Sequence, residues 1–230
     1  MKKILEAILS VLMILTLAAC GSNGNGNGNG NDTATSQPKT SNNTKVQAKG
    51  KILIAYFTMP ERDGVDTVAS ASRLVVDRKV VGNTQFVAQN IQKAAGGDLF
   101  AIKTVQRYPA KHGPLVDQAD NEQADNARPK LSTHIDNLDD YNVIFIGYPN
   151  WWGDLPMPLY SFLDEYNFSG KTIIPFSTHG GSGFAGTINT IAKMEPKARV
   201  IKDGFTVSRD DVADAKDDVN QWVKGLNLAK

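Results

Sequence analysis

Residues 143–156 read VIFIGYPNWWGDLP. The run from Val143 to Tyr148 has no polar alternation, and Pro149 ends it. An unbroken apolar run of this length reads as a strand buried on both faces, which occurs where helices cover both sides of a parallel sheet. Trp151 and Trp152, two of the three tryptophans in the chain, then stand where loop residues belong.

The surrounding sequence repeats the pattern. Lys51 to Phe57 is a second continuous apolar run. Thr84 to Ala95 carries Phe86, Val87, Ile91, Ala94 and Ala95 on one helical stripe, with Thr84 in position to cap it and Gly96-Gly97 to stop it. Residues 98–105 read as a strand, 113–129 hold a weak helix, and 141–148 form the third and most apolar strand. Residues 158–166 are helical. Residues 171–177 form a fourth strand, in which Pro175 is out of place for a central position. A helix over 184–194, a fifth strand broken into 199–201 and 204–207, and an amphipathic helix over 210–226 complete the order. Such alternation predicts an α/β fold with helices on both sheet faces. Ligands of such sheets gather at the carboxyl ends of the strands.

The other end of the chain is different in kind. Met1-Lys2-Lys3 is followed by an apolar stretch from Ala7 to Ala19 that is too short to span a bilayer and fits an export signal. Leu17-Ala18-Ala19-Cys20 resembles the lipobox of bacterial lipoproteins, which makes Cys20 the expected lipidation point. An ordinary secretory signal with a chance cysteine is the alternative. Residues 21–50 contain alternating Gly and Asn and one large apolar side chain, Val46, so they are expected to stay disordered. As a random coil this tether would span roughly 30 Å. Three segments are therefore expected: a signal over 1–20, a tether over 21–50 and one folded domain over 51–230.

The domain carries 20 basic and 22 acidic side chains, a net of −2. It offers no basic field for nucleic acid. Cys20 is the only cysteine, which excludes a disulfide or a cysteine-based metal site in the domain. His112, His134 and His179 lie far apart with no metal-ligand spacing. No G-x-S-x-G elbow is present for hydrolase chemistry, and no G-x-G-x-x-G follows the first strand to support a dinucleotide.

Three loops at the expected carboxyl edge are unusual. After the first strand, Thr58 opens an excursion that returns at Gly82-Asn83-Thr84. A Gly, a short polar residue and a hydroxyl at a helix start offer free N–H groups to an anion. The same triplet is also a plain turn and cap. After the third strand, Pro149-Asn150-Trp151-Trp152-Gly153 offers rings for stacking on a flat ligand. Capping of the core or contact with a partner are the alternatives. After the fourth strand, Thr178-His179-Gly180-Gly181-Ser182-Gly183 lets the backbone approach a ligand closely. A flexible helix-entry loop is the alternative, and His179 is a candidate proton donor or pH-sensitive group. Together they describe a site for a mononucleotide with a flat polar ring.

On these residues the chain resembles a flavodoxin over nearly all of 51–230, and within that superfamily the flavodoxin-like domains of bacterial lipoproteins. YPNWWGDLP followed by FSGKTIIPFSTHGGSG carries the narrower likeness. The resemblance implies a three-layer α/β/α sandwich with a five-stranded parallel sheet in the order 2-1-3-4-5, and FMN as cofactor. Thr58, Gly82, Asn83 and Thr84 would hold the phosphate. Pro149, Asn150, Trp151, Trp152 and Gly153 would face the isoalloxazine, with one tryptophan stacked on it. Thr178, His179, Gly180, Gly181, Ser182 and Gly183 would line the pyrimidine edge. No catalytic acid or base is implied.

Two departures stand out. Short-chain flavodoxins run the phosphate loop as [ST]-x-[ST]-G-x-[ST], whereas residues 59–81 intervene here. Within that insertion, 74–81 alternates about a polar turn and reads as a small hairpin. The near-neutral charge also differs from the strongly acidic low-potential shuttles of the family. The expected function is a membrane-tethered redox protein on the outer side of the cytoplasmic membrane. It would serve a membrane-associated redox partner or reduce small acceptors such as quinones. The alternative is a flavin-free lipoprotein that binds a partner or ligand.

Overall fold

The computed structural model describes residues 50–60 and 72–228. The expected signal, Cys20, the tether up to residue 49 and the middle of the insertion lie outside the described residues. Among those described, no helix is long and apolar enough to cross a membrane.

The sheet is built from β1 (Lys51–Tyr56), β4 (Asp98–Ala101), β5 (Tyr141–Pro149), β6 (Thr172–His179) and a split edge of β7 (Arg199–Val200) and β8 (Phe205–Ser208). Every pairing among them is parallel, in the order β4-β1-β5-β6 followed by the split edge. Counting the edge as one strand, this is the expected 2-1-3-4-5 order.

Alternation along the central strands sorts side chains into two layers. Ile54, Tyr56, Val143, Phe145, Ile174 and Phe176 point to one face. There they meet Val87 and Ile91 of α1 (Asn83–Ala95) and Val219 and Val223 of α5 (Lys216–Gly225). Leu53, Ala55, Phe57, Ile144, Ile146 and Tyr148 point to the other. They pack on Leu115 of α2 (His112–Ala124), Leu159, Phe162 and Leu163 of α3 (Met157–Glu165) and Ile191 of α4 (Thr187–Met194). The continuous apolar runs therefore mean what they suggested: each strand feeds two cores. Gly147 is fixed by its neighbour on β6, since a Cβ there would stand 2.0 Å from the Phe176 ring.

The split edge has a local cause. Ile201 donates to the Ile173 carbonyl at 2.9 Å and Arg209 to the His179 carbonyl at 2.7 Å, so odd-numbered residues of β6 face the edge. Pro175 is one of them and has no N–H to give. Residues 202–204 leave the ladder beside it. Gly204 passes so close that a Cβ would stand 2.4 Å from the Pro175 carbonyl oxygen.

Three expectations need correction. The second strand ends at Ala101, not Val105. The Thr133 hydroxyl donates to the Ala101 carbonyl at 2.9 Å, and residues 103–105 pair instead with 130–132. The first helix begins at Asn83 and is capped by Gly82 rather than Thr84. The Gly82 N–H donates to Gln85 Oε1 at 3.4 Å, which is half of a capping box. Helix α5 begins at Lys216, after a 3-10 turn over Val212–Asp214.

The hairpin does form. Strands β2 (Arg73–Val76) and β3 (Lys79–Gly82) pair antiparallel, with Asp77 and Arg78 at φ 49° and 64°. Positive φ at both central residues matches the twist of the flanking strands.

Candidate functional site

A cleft of about 530 Å3 opens at the carboxyl ends of β5 and β6. Pro149, Asn150, Trp151 and Trp152 form one side, and Thr178, His179 and Gly180 another. Thus seven of the expected residues come together. Gly153 lies at the tip of the tryptophan turn, and Gly181, Ser182 and Gly183 continue the loop beyond the cleft lining.

The two tryptophans have opposite surroundings. Trp151 and Asp154 exchange backbone hydrogen bonds at 3.1 and 2.9 Å, closing a tight turn. Its central residues, Trp152 and Gly153, have φ of 51° and 78°. Trp151 is turned inward, with its ring edge-to-face on Phe57 at 5.3 Å and on Tyr108 at 5.7 Å. Trp152 is 57% exposed, and its indole N–H donates to the Val116 carbonyl at 3.2 Å. One ring anchors the loop to the core, and the other offers a pinned apolar surface to the cleft.

Asn150 connects the two loops. Its backbone N–H donates to the Thr178 carbonyl at 2.8 Å, and its side-chain amide donates to the Gly183 carbonyl at 3.1 Å. In the glycine loop, Gly181 N–H donates to His179 Nδ1 at 2.9 Å. An amide can only donate, so Nδ1 is the acceptor and a neutral ring carries its proton on Nε2. Burial pushes the His179 pKa down, opposed by Asp211.

The start of α1 borders this cleft. Asn83 N–H donates to the carbonyl of Ser72, a cleft residue, at 3.0 Å. The Thr84 hydroxyl shares a buried hydrogen bond with that of Thr178, 2.9 Å away. Gly82 closes directly on Thr58: a Cβ at Gly82 would stand 2.1 Å from the Thr58 hydroxyl oxygen. The four expected residues are therefore one cluster, despite the insertion between them. The amides of Thr84 and Gln85 have no acceptor within the helix.

Several cleft residues escaped the sequence reading. Helix α2 supplies His112, Leu115, Val116 and Ala119, and the segment after β8 supplies Arg209. The α2 sequence has only two buried positions, Leu115 and Ala119, so its apolar stripe is faint. Arg209 is placed by the parallel pairing of β8 with β6, a long-range fact without a local signal.

Comparison with known proteins agrees with this architecture. A sequence model of the flavodoxin family matches residues 72–226. A flavodoxin of Synechocystis is 32% identical over 108 residues, which cover 45% of this chain and 49% of that protein. The match thus spans about half the length of that relative. Among solved structures, a candidate flavoprotein of Bacteroides uniformis is 25% identical with a TM-score of 0.58, over 77% of this chain and 99% of that one. A flavoprotein of Lactobacillus acidophilus, solved in complex with FMN, has a TM-score of 0.51 at 21% identity, over 74% of this chain and 99% of that one. With its sheet order, its layers and a family match over most of its length, this chain belongs to the flavodoxin family.

Proposed function

We propose that this protein binds FMN in the cleft between the Trp152 turn and the glycine loop, and that it transfers electrons or reduces small acceptors. The observation that carries this reading is the exposed, pinned indole of Trp152 facing a cleft bounded by Thr178, His179 and Gly180. Family membership and the FMN complex of the Lactobacillus acidophilus neighbour support it.

The residues present fit the group. The Gly82 position leaves just enough room for the Thr58 hydroxyl at the helix start, so Thr58 and the amides of Thr84 and Gln85 would hold the phosphate. The Thr84 hydroxyl is already engaged by Thr178, so Thr84 would contribute through its N–H. Trp152 would cover one face of the ring system, and the Asn150–Gly153 turn would keep water from it. Backbone groups of Gly180 to Gly183 would meet its polar edge. When bound, FMN supplies the redox chemistry; the chain supplies position, access and charge.

The same proposal places the domain outside the cytoplasmic membrane, held by a lipid on Cys20 and a tether ending near Gly50. Its redox partner would then be membrane-associated. A radiolabelled fatty acid incorporated by the parent and not by Cys20→Ala would support the anchor.

A second reading rests on one observation. Val75 and Val80 face each other across the hairpin and are 66% and 49% exposed, which suits a partner-binding surface without flavin. A visible absorption spectrum of the purified full chain, with FMN added and the excess removed, separates the two. Retained flavin with a shifted band and quenched tryptophan fluorescence is expected. A colourless protein with unchanged fluorescence would overturn the FMN reading.

A further inference from the structure

Among the described residues, the cleft is lined by Arg209, His112 and His179 but by no carboxylate. The acidic residue of the tryptophan loop, Asp154, is turned elsewhere: its carboxylate accepts from Leu155 N–H at 2.8 Å and from the Tyr160 hydroxyl at 2.7 Å. Arg209 is fixed beside the glycine loop by its N–H bond to the His179 carbonyl. Its guanidinium lies 3.6 Å from where a Gly180 Cβ would stand. Among the described residues it pairs with the carboxylate of Asp210, 3.9 Å away and itself 76% exposed, so solvent screens the pair. Asp211, which acts on His179, is also exposed and lies outside the lining. Among the described residues a cation thus borders the cleft with weak local compensation, and the net charge of −2 on the domain adds little general repulsion.

Charge on a flavin depends on its redox state. Taking up two electrons and one proton leaves the isoalloxazine one unit more negative than when oxidised. A guanidinium beside the ring binds the reduced state better, and linkage makes the difference in affinity a shift in potential.

We propose that Arg209 makes this cleft hold FMN more tightly when it is reduced than Arg209→Gln would, so that the protein works as an electron acceptor of raised potential. This rests on the FMN reading above. It assigns a specificity role to a residue outside the three loops, and it sets the protein apart from carriers whose acidic surroundings drive electrons out.

The test compares the dissociation constants of oxidised FMN and of dithionite-reduced FMN for the full chain, Arg209→Gln and Arg209→Lys. Arg209→Gln is expected to weaken reduced FMN by about tenfold, the scale of one charge pair in a partly wet site. Oxidised FMN should stay within about twofold, which also reports an intact fold. The tenfold change corresponds to a potential lower by about 30 mV for a two-electron couple. Arg209→Lys should keep most of the effect. Equal weakening of both states would overturn the proposal, because Arg209 would then hold the cofactor regardless of its charge. Unchanged constants would overturn it too. Failure of the parent chain to bind FMN in either state would instead remove the FMN reading, and this inference with it.

Discussion

The hydroxyl oxygens of Thr84 and Thr178 lie 2.9 Å apart although 94 residues separate them in sequence. Both side chains are almost fully buried, at 1% and 2% exposure. The contact ties the first turn of α1 to the carboxyl end of β6, where the cleft opens. It braces the proposed phosphate end of the site against the proposed ring end.

Valine at either position leaves the other hydroxyl buried without this partner. Each single change is expected to cost about 1–3 kcal/mol, and the double change less than the sum. Urea unfolding of the four proteins checks this. Strict additivity would show that the hydroxyls do not depend on each other.

Gly82→Ala places a Cβ 2.1 Å from Thr58 Oγ1. The expected loss is about 1–3 kcal/mol, as for other overpacked sites. Thr58→Ala in the same chain removes the colliding oxygen and should recover part of the stability, but not phosphate-dependent FMN binding. Thermal melts paired with riboflavin and FMN titrations separate the two effects. Full recovery of FMN affinity in the double variant would remove Thr58 from the phosphate site.

The tryptophans should divide stability and binding between them. Trp151→Ala empties a place shared with Phe57 and Tyr108 and is expected to cost about 3–5 kcal/mol. Trp152→Gly suits the positive φ of that position and should change stability by under about 1 kcal/mol. It should weaken FMN by about tenfold through lost stacking. Flavin fluorescence titration decides; unaltered affinity in Trp152→Gly would mean that the exposed indole faces something else.

Two groups should act on stability with opposite signs near neutral pH. Burial, with Asp164 adding to it, pushes Glu195 up to about 7. Its raised folded pKa favours the protonated form, so its contribution is full below the ordinary carboxyl value and lost as pH rises through about 7. His179 is shifted down, so its contribution is full above the ordinary imidazole value near 6.5 and lost as pH falls below it. Unfolding curves from pH 4 to 8 should show Glu195→Gln gaining relative to the parent toward the alkaline end. His179→Gln should lose less than the parent toward the acid end. Parallel profiles for all three proteins would contradict both assignments.

Much of the fold was legible because its signals are local. Ile52 to Phe57 and Val143 to Tyr148 are apolar without interruption because helices cover both faces of the sheet. The hairpin could be read from alternation about Asp77 and Arg78. The loops after β5 and β6 were legible because Gly, Pro and Trp are unusual where strands end. What was hidden depends on tertiary contact. Nothing near Trp151 and Trp152 says which ring meets Phe57. The turn that divides them is set by backbone exchange between Trp151 and Asp154. Helix α2 reveals its cleft face only through Leu115 and Ala119. The second strand looked longer because its sequence stays strand-like past Ala101, while the Thr133 hydroxyl takes over the Ala101 carbonyl.

Pro175 has an effect beyond the ladder it interrupts. The outer rim of the sheet consists of a two-residue strand, a detour and a four-residue strand. The opposite rim, β4, is also only four residues long. Neither rim presents the long straight row of free amides and carbonyls on which a second chain could lay down another strand. A domain whose central strands are almost wholly apolar is thus guarded at both margins against sheet-to-sheet association, and a missing N–H on an interior strand shapes one of those guards.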